Sequence, residues 1–327
     1  MIDIFTFDLP QELIAQAPAQ PRDHARLLVY DRSTKHISDV YFYDLPKYLP
    51  ADTSLVLNKA KVDKCRLRFG NTELFILDTH NPTTVTCMVR PGKKFKLGKT
   101  IALNEKLTAK TIAINKDGLR TVELAVPLDD PAYDQYKLTP LPPYIEQNES
   151  LSEEYQTVYA KDPGSKASPT AGLHFTEELL ESIKQQHPII EITLNVGLGT
   201  FAPLSESSIE SGTLHEESYE VSELAAKQLA DSINITAVGT TSLRTLETVA
   251  KNGNVTAFKS ATDIFIRPGY TFQAVDHLIT NFHLPGTSLL LLVEAFIGSR
   301  DELARIYRHA IEKQYRFYSF GDAMLIV

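Results

Sequence analysis

ITAVGTTSLRTLETVAK, residues 235–251, decides the architecture. Ile235 to Val238 is a short apolar run and reads as a strand. Gly239-Thr240-Thr241-Ser242 follows at once. Leu243 to Lys251 then reads as a helix, closed by Gly253. A strand feeding a helix N-terminus is the building unit of an α/β sheet. It also sets Thr240 and Thr241 where hydroxyls and free N–H groups meet. Two uses stay open for them: holding a carboxylate, phosphate or ribose hydroxyls, or simply capping the helix.

The alternation continues outward from there. Upstream, Thr176 to Gln186 is a helix stopped by Pro188, Ile189 to Val196 a strand, and Ser222 to Ile233 an Ala-rich capped helix. Downstream come strands at Asp263 to Ile266 and Val275 to Thr280, a buried helix at Thr287 to Ile297, an amphipathic helix at Asp301 to Gln314, and a last strand near Met324 to Val327. The N-terminal part offers a short helix at Gln11 to Gln16. Strands at Ala25 to Asp31 and His36 to Tyr43 flank a turn, and a buried strand follows at Ser54 to Asn58. Gly197-Leu198-Gly199 follows a strand, but Pro203 and a serine-rich loop come next instead of a helix. It is therefore no dinucleotide fingerprint, and its glycines suit a close backbone approach to a ligand.

Between Lys64 and Val126 the texture changes. Arg66 to Phe69, Glu73 to Leu77, Val85 to Arg90, Thr108 to Ile114 and Leu119 to Val126 are short β-type segments split by Gly, Asn, Asp and Pro, the pattern of a small barrel or sandwich. The expected fold is an α/β main domain, residues 1–62 plus 128–327, carrying an inserted small β-barrel-like domain, residues 63–127. Pro127 to Ser150 would be the return linker. Pro91 to Thr100, PGKKFKLGKT, reads as a lysine-rich hairpin or loop whose phenyl ring either stacks a base or is merely exposed.

Charge follows the same division. The chain of 327 residues carries 33 Lys and Arg against 41 Asp and Glu, a net charge of -8. Lys64 to Arg120 holds twelve basic against four acidic residues, +8, which leaves 21 against 37, or -16, for the remainder. A basic module inside an acidic protein is either a localised polyanion surface or a set of lysine-rich solvated strand faces. Cys65 and Cys87 make neither a disulfide framework nor a zinc set and suit a reducing cytoplasm. The N-terminus lacks a signal-peptide pattern, and the run Leu289 to Val293 is too short to span a bilayer, so the expected place is the cytoplasm without membrane association.

Tyr155 to Phe175, YQTVYAKDPGSKASPTAGLHF, has neither helical nor strand periodicity. Asp162-Pro163-Gly164-Ser165 is turn chemistry, and Thr176 is an N-cap with Glu177 and Glu178 in the first turn. Thr170, Gly172 and His174 thus fall on an irregular loop feeding a helix, as a ligand site or as a surface loop with a stray histidine. His174, His215 and His283 sit on three different loops, with Glu216, Glu217 and Asp322 as carboxylates within the candidate set for an acid/base pair. None has metal-ligand spacing, so no metal is expected.

Several strings resemble one family: LPPYI (141–145), YQTVYA (155–160), PTAGLHF (169–175), NVGLGTF (195–201), AVGTTSLRTLE (237–247), DIFIRPGY (263–270), LITNFHLP (278–285) and YRFYSFGDAMLI (315–326). They are similar to the S-adenosylmethionine:tRNA ribosyltransferase-isomerases of queuosine biosynthesis, over nearly the whole chain. The resemblance implies S-adenosylmethionine as co-substrate and ribosyl donor, with no metal. It implies a tRNA partner carrying 7-aminomethyl-7-deazaguanine at the wobble position, and epoxyqueuosine, adenine and methionine as products. It places Thr170, Gly172 and His174 at the reaction centre, with His174 as candidate base. Thr240, Thr241 and Arg244 would hold the methionine carboxylate or ribose hydroxyls. His215, Glu217, His283 and Asp322 would complete the polar pocket, and Arg66, Lys93 and Lys94 would grip tRNA phosphates. The expected state is a monomer. Two departures stand out. The family's Asn-(Asn/Asp)-Thr-Arg-Val stretch is here Asn58-Lys59-Ala60-Lys61-Val62, and a common His before VGxGTF is here Asn195, which is no acid or base near neutral pH. Two other readings follow from them: a weakened paralogue that binds tRNA without turnover, or an enzyme using S-adenosylmethionine on a different nucleobase or amine.

Overall fold

Residues 5–146, 148–197, 204, 206–251 and 257–327 are described by the computed structural model. They divide into two units. One is Met1–Lys61 with Pro142–Glu146 and Glu153–Val327, and the other is Val62–Leu141 with Gln147–Ser152. The loop at Leu198 to Phe201, Pro203 and the helix-closing Gly253 lie outside the described residues.

The first unit is built on a nine-stranded sheet. Its strands are β1 (Arg26–Tyr30), β2 (Ile37–Tyr41), β3 (Thr53–Asn58), β4 (Ile189–Leu194), β5 (Thr213–Val221), β6 (Asn234–Val238), β7 (Phe258–Ile264), β8 (His277–Asn281) and β9 (Ala323–Ile326). Their spatial order is β7-β5-β4-β3-β6-β8-β9-β1-β2. The four central strands β4, β3, β6 and β8 run parallel, and β9 is antiparallel to β8. Among the described residues, five helices of eight residues or more belong to this unit: α1 (Glu177–Lys184), α2 (Glu223–Ala230), α3 (Gly239–Lys251), α4 (Ser288–Ile297) and α5 (Arg300–Glu312).

Both faces of the central strands are covered, so β3, β6, β8 and β9 are buried on both sides, while β2, β5 and β7 toward the edges keep exposed residues. In β1, Leu28 and Tyr30 join the core that includes Leu229 of α2, Leu243 and Leu246 of α3, and Leu303 of α5. Leu27 and Val29 face the other core, with Leu179, Leu180 and Ile183 of α1. The period-2 alternation of a strand alone sorts them. Each buried aliphatic side chain contributes about 1.5–3 kcal/mol. The connection from β3 to β4 carries α1 on one face, and the connection into β6 carries α2 on the other. Strands thus fan out on both sides of β3, and a crevice opens at their carboxyl ends.

Helix starts were legible. Thr176, Ser222 and Thr287 each accept an N–H through the side chain at the head of α1, α2 and α4; α5 starts one residue ahead of the expected Asp301, capped by Ser299. Three expectations are corrected. Asp162–Ser165 is extended, not a tight turn. β7 starts at Phe258, ahead of the expected Asp263. His215 lies on strand β5, not on a loop, and is exposed. β5 escaped the pattern search because Glu217 occupies a buried position, and its charge is neutralised by a partner distant in sequence, Arg244.

The second unit holds a seven-stranded sheet ordered Lys137–Leu138, Arg66–Phe69, Thr72–Asn81, Thr84–Arg90, Arg120–Leu124, Thr108–Ile114, Thr100–Ala102. All its pairings are antiparallel. Register shifts at Ile76/Asp78, Thr79/Asn81 and Thr121/Val122 curl it. The unit runs past the expected boundary at residue 127, because Lys137 and Leu138 pair with Leu67 and Arg66 as an edge strand. The span taken as a linker thus supplies part of the sheet. Gly92–Lys94 is a 3-10 turn, and Phe95 is fully buried, so its ring belongs to the core and is not available to stack a base. Cys65 and Cys87 are both buried, and burial pushes the Cys87 thiol up to about 12.

Candidate active site

A cleft of roughly 570 Å³, counted out to its open mouth, lies at the carboxyl ends of the parallel strands. Val196 enters it from beyond β4, Gly239 to Thr241 from beyond β6, and Thr280, Asn281 and His283 from the end of β8. Ala167 to Ala171 and the pair Tyr318-Ser319 close its sides. An open cleft at the carboxyl ends of parallel strands is where α/β sheets take their ligands.

The loop before α1 is buried. Thr170–His174 forms a 3-10 turn in which Ala171, Gly172, Leu173 and His174 are all shielded from solvent. Gly172 has no room for a side chain: a Cβ there would stand 1.9 Å from the Tyr159 hydroxyl and 2.9 Å from Thr157 Cγ2. Its role in the fold is close packing against Tyr159. Gly172→Ala should therefore destabilise the protein by about 1–3 kcal/mol, read as a lower urea midpoint at unchanged slope.

Asn281 gathers three neighbours. The Thr170 hydroxyl donates to its Oδ1 at 3.1 Å. Its Nδ2 donates to the Tyr318 carbonyl at 3.1 Å and to His174 Nε2 at 3.2 Å. Tyr318 holds a left-handed backbone, φ 76°, which a bulky residue adopts only under constraint. His174 is not a lining residue of the cleft. It is buried beside the Phe42 ring, centroids 5.0 Å apart, and burial, with the nearby charges of Arg316 and Arg22, pulls its pKa down to about 3. His283 reaches the cleft, shares a 3.0 Å hydrogen bond with Thr280 Oγ1, and is pulled down to about 4 by burial. Both imidazoles are neutral near pH 7.

Gly239 turns β6 into α3 with φ +87°, a value glycine adopts freely. Thr240 and Thr241 then stand in the first turn of α3, where N–H groups without intrahelical partners favour an anion. Thr241 Oγ1 and Ser168 Oγ are buried and have no hydrogen-bond partner among the described residues. Deeper along α3, Arg244 Nη1 pairs with Glu217, whose Oε1 also accepts the Gly197 N–H at 3.1 Å. Arg244 Nε and Nη2 are buried with no partner among the described residues. Buried donors of this kind are rare unless a ligand or water meets them. The site thus combines an anion-seeking helix start with a neutral polar wall at Thr170, Asn281 and His283.

The model of the queuosine biosynthesis protein family matches residues 2–326. The chain belongs to that family. It is 44% identical over 333 residues to the S-adenosylmethionine:tRNA ribosyltransferase-isomerase of Thermotoga petrophila, covering 99% of this chain and 98% of that one. It is 45% identical over 337 residues to the protein of the same name from Caldanaerobacter subterraneus subsp. tengcongensis, again over 99% and 98%. The crystal structure of S-adenosylmethionine tRNA ribosyltransferase from Thermotoga maritima resembles it with TM-score 0.57 and 35% identity over 99% of each chain. The family strings PTAGLHF, AVGTTSLRTLE and LITNFHLP carry the cleft residues Thr170, Thr241 and Asn281.

Asn281 was missed because His283 is the titratable residue of its string, LITNFHLP, and an amide between Thr280 and Phe282 carries no chemical flag. Glu247 was missed likewise. Fully buried, it accepts from the Tyr270 hydroxyl and the N–H groups of Gln273, Ala274 and Val275, and so holds that loop in place. Asp322 is saturated by Arg26 N at 3.0 Å, Arg316 N at 2.7 Å and the Arg316 guanidinium at 3.1 Å, and it does not line the cleft. The structure does not bring exposed His215 to the cleft either. Of the departures, Lys61 is exposed, and Asn195 donates to Ser218 Oγ at 3.2 Å. In the second unit Arg66 pairs with Glu73 at 3.5 Å, Lys94 donates to Thr72 at 3.0 Å, and Lys93 is exposed. Among the described residues no group of three or more His, Cys, Asp and Glu is placed to hold a metal, and no helix is long and apolar enough to cross a membrane.

Proposed function

We propose that this chain transfers and isomerises the ribosyl moiety of S-adenosylmethionine onto 7-aminomethyl-7-deazaguanine at the wobble position of tRNA. Epoxyqueuosine forms, and adenine and methionine leave. The full-length match to relatives named for this activity carries the reading.

The cleft chemistry supports it. The methionine carboxylate of S-adenosylmethionine sits at the start of α3, against Thr240, Thr241 and the helix N–H groups. Arg244, charged and only partly paired, adds positive potential behind them. The sulfonium acidifies the carbon beside it, and the neutral wall of Thr170, Asn281 and His283 faces the ribose without adding a competing charge. Gly172 and His174 support that wall from behind. Residues 63–127, within the basic second unit, act as an inserted RNA-binding domain. Lys93 and Lys94 meet phosphates there, and Arg66 braces the strand that carries it. Asn195 and Lys61 are tolerated substitutions in this reading.

The test is mass spectrometry of nucleosides from tRNA bearing the aminomethyl base, after incubation with this protein and S-adenosylmethionine. Epoxyqueuosine with free adenine is expected. Unchanged tRNA beside an active family enzyme overturns the reading. The Lys93→Ala, Lys94→Ala pair should weaken tRNA binding and lower the slope of log K against log salt by about 1–2. Filter binding at several salt concentrations measures it, and an unchanged slope removes both lysines from the RNA surface.

A further inference from the structure

The polarity of the cleft wall follows from one carbonyl. The Tyr318 carbonyl can only accept, so the Asn281 atom 3.1 Å away from it must be the amide nitrogen. The amide orientation is then settled by chemistry and not by choice of flip. Its oxygen faces Thr170, and that oxygen can only accept, so the Thr170 hydroxyl must donate to it at 3.1 Å. The second amide hydrogen faces His174 Nε2 at 3.2 Å, and that nitrogen must accept. His174 is thereby the Nδ1–H tautomer, with its one free lone pair already engaged.

We infer that Asn281 is a positioning residue that fixes the direction of hydrogen bonding across the cleft. With its proton committed inward, Thr170 offers only lone pairs to a ligand. It accepts from an O–H or N–H group and repels a carboxylate. Thr241, at the other wall, has a buried hydroxyl with no partner among the described residues and stands in the positive first turn of α3, so it is free to donate. The two threonines have opposite polarity, and a ligand with a carboxylate at one end and hydroxyl or amine donors at the other is held in one direction. His174 is then a neutral strut of this frame and not the base that takes the substrate proton. The assignment of ligand ends rests on the function proposed above; the tautomer and the direction of the bonds do not.

Nitrogen NMR of the full-length protein, labelled with 15N-histidine at neutral pH, reads the frame without any substrate. Wild type should show His174 as the Nδ1–H tautomer, assigned by loss of its signals in His174→Gln. Asn281→Asp presents a carboxylate that cannot donate, so His174 should change to Nε2–H or become protonated. An Nε2–H tautomer in wild type, or an unaltered tautomer in Asn281→Asp, overturns the inference. With S-adenosylmethionine and modified tRNA, Thr170→Ser should retain turnover within about threefold. Thr170→Val should lose roughly tenfold to a hundredfold in kcat/KM, the value of one or two hydrogen bonds. Equal loss in both variants overturns the acceptor role of Thr170. Absence of turnover in wild type, with the tautomers as stated, is a failure of the functional reading alone.

Discussion

Glu217→Ala should lower the free energy of unfolding by about 3–5 kcal/mol, the largest single-site loss expected in the first unit. The alanine leaves the Arg244 guanidinium buried without its counter-charge, with Nε and Nη2 already unpartnered among the described residues. It also removes the acceptor of the Gly197 N–H. Against a total stability of roughly 5–15 kcal/mol, the loss should move the urea midpoint strongly at constant slope. A shift worth less than about 1 kcal/mol would mean that the charge finds water or another partner. Glu217→Leu combined with Arg244→Met should recover most of the loss, since an apolar pair avoids the desolvation of both ions. That double variant separates two roles of Arg244. If the guanidinium serves only the fold, the double variant keeps the KM of wild type for S-adenosylmethionine. If its free N–H groups meet the ligand, stability returns and affinity does not.

The parts of the fold legible in the sequence were those where local signals agree with tertiary context. α3 has a strand before it, a glycine turn and apolar residues at helical spacing, and every one of these is local. The caps at Thr176, Ser222 and Thr287 are equally local, because the hydroxyl and the N–H it accepts lie within three residues. What escaped was whatever depends on a partner far along the chain. Glu217 is legible as a candidate carboxylate, but its burial and its pairing with Arg244, 27 residues on, are not. Lys137 and Leu138 are too short a pair to register as a strand without Leu67 and Arg66 across from them. Phe95, among lysines, reads as exposed because a core position inside a charged loop is defined only by the sheet it plugs. Of the residues that line the cleft, Thr170, Thr240, Thr241 and His283 stand out in the sequence by their loops. Asn281 was not, since its importance lies in three bonds to residues 37 to 111 positions away.

Acidification should destabilise the protein through two buried imidazoles. His174 is pulled down to about 3 and His283 to about 4 by burial, while an unfolded histidine titrates near 6.5. Native protein therefore keeps both neutral where the unfolded chain already binds two protons. Since the unfolded state binds more protons, stability is full above pH 6.5 and falls as pH drops from there toward 4 and then 3. Each histidine contributes about 1.4 kcal/mol per pH unit in that window, so the pair removes on the order of 5 kcal/mol by pH 4.5. Carboxylates titrate in the same range, and the difference between variants isolates the imidazoles. His174→Gln with His283→Gln keeps hydrogen-bonding groups at both positions but cannot take the protons. Its urea-derived stability, followed from pH 7 to 4.5, should fall less steeply than that of wild type, by about 2–3 kcal/mol per pH unit. Parallel curves would show that neither imidazole is held neutral by burial. The same depression has a catalytic consequence. Neither His174 nor His283 changes charge between pH 6 and 8, so a limb in the rate profile in that range belongs to another group, such as the substrate amine. A limb that vanishes in His283→Gln while the variant stays folded would place a titrating imidazole in the cleft.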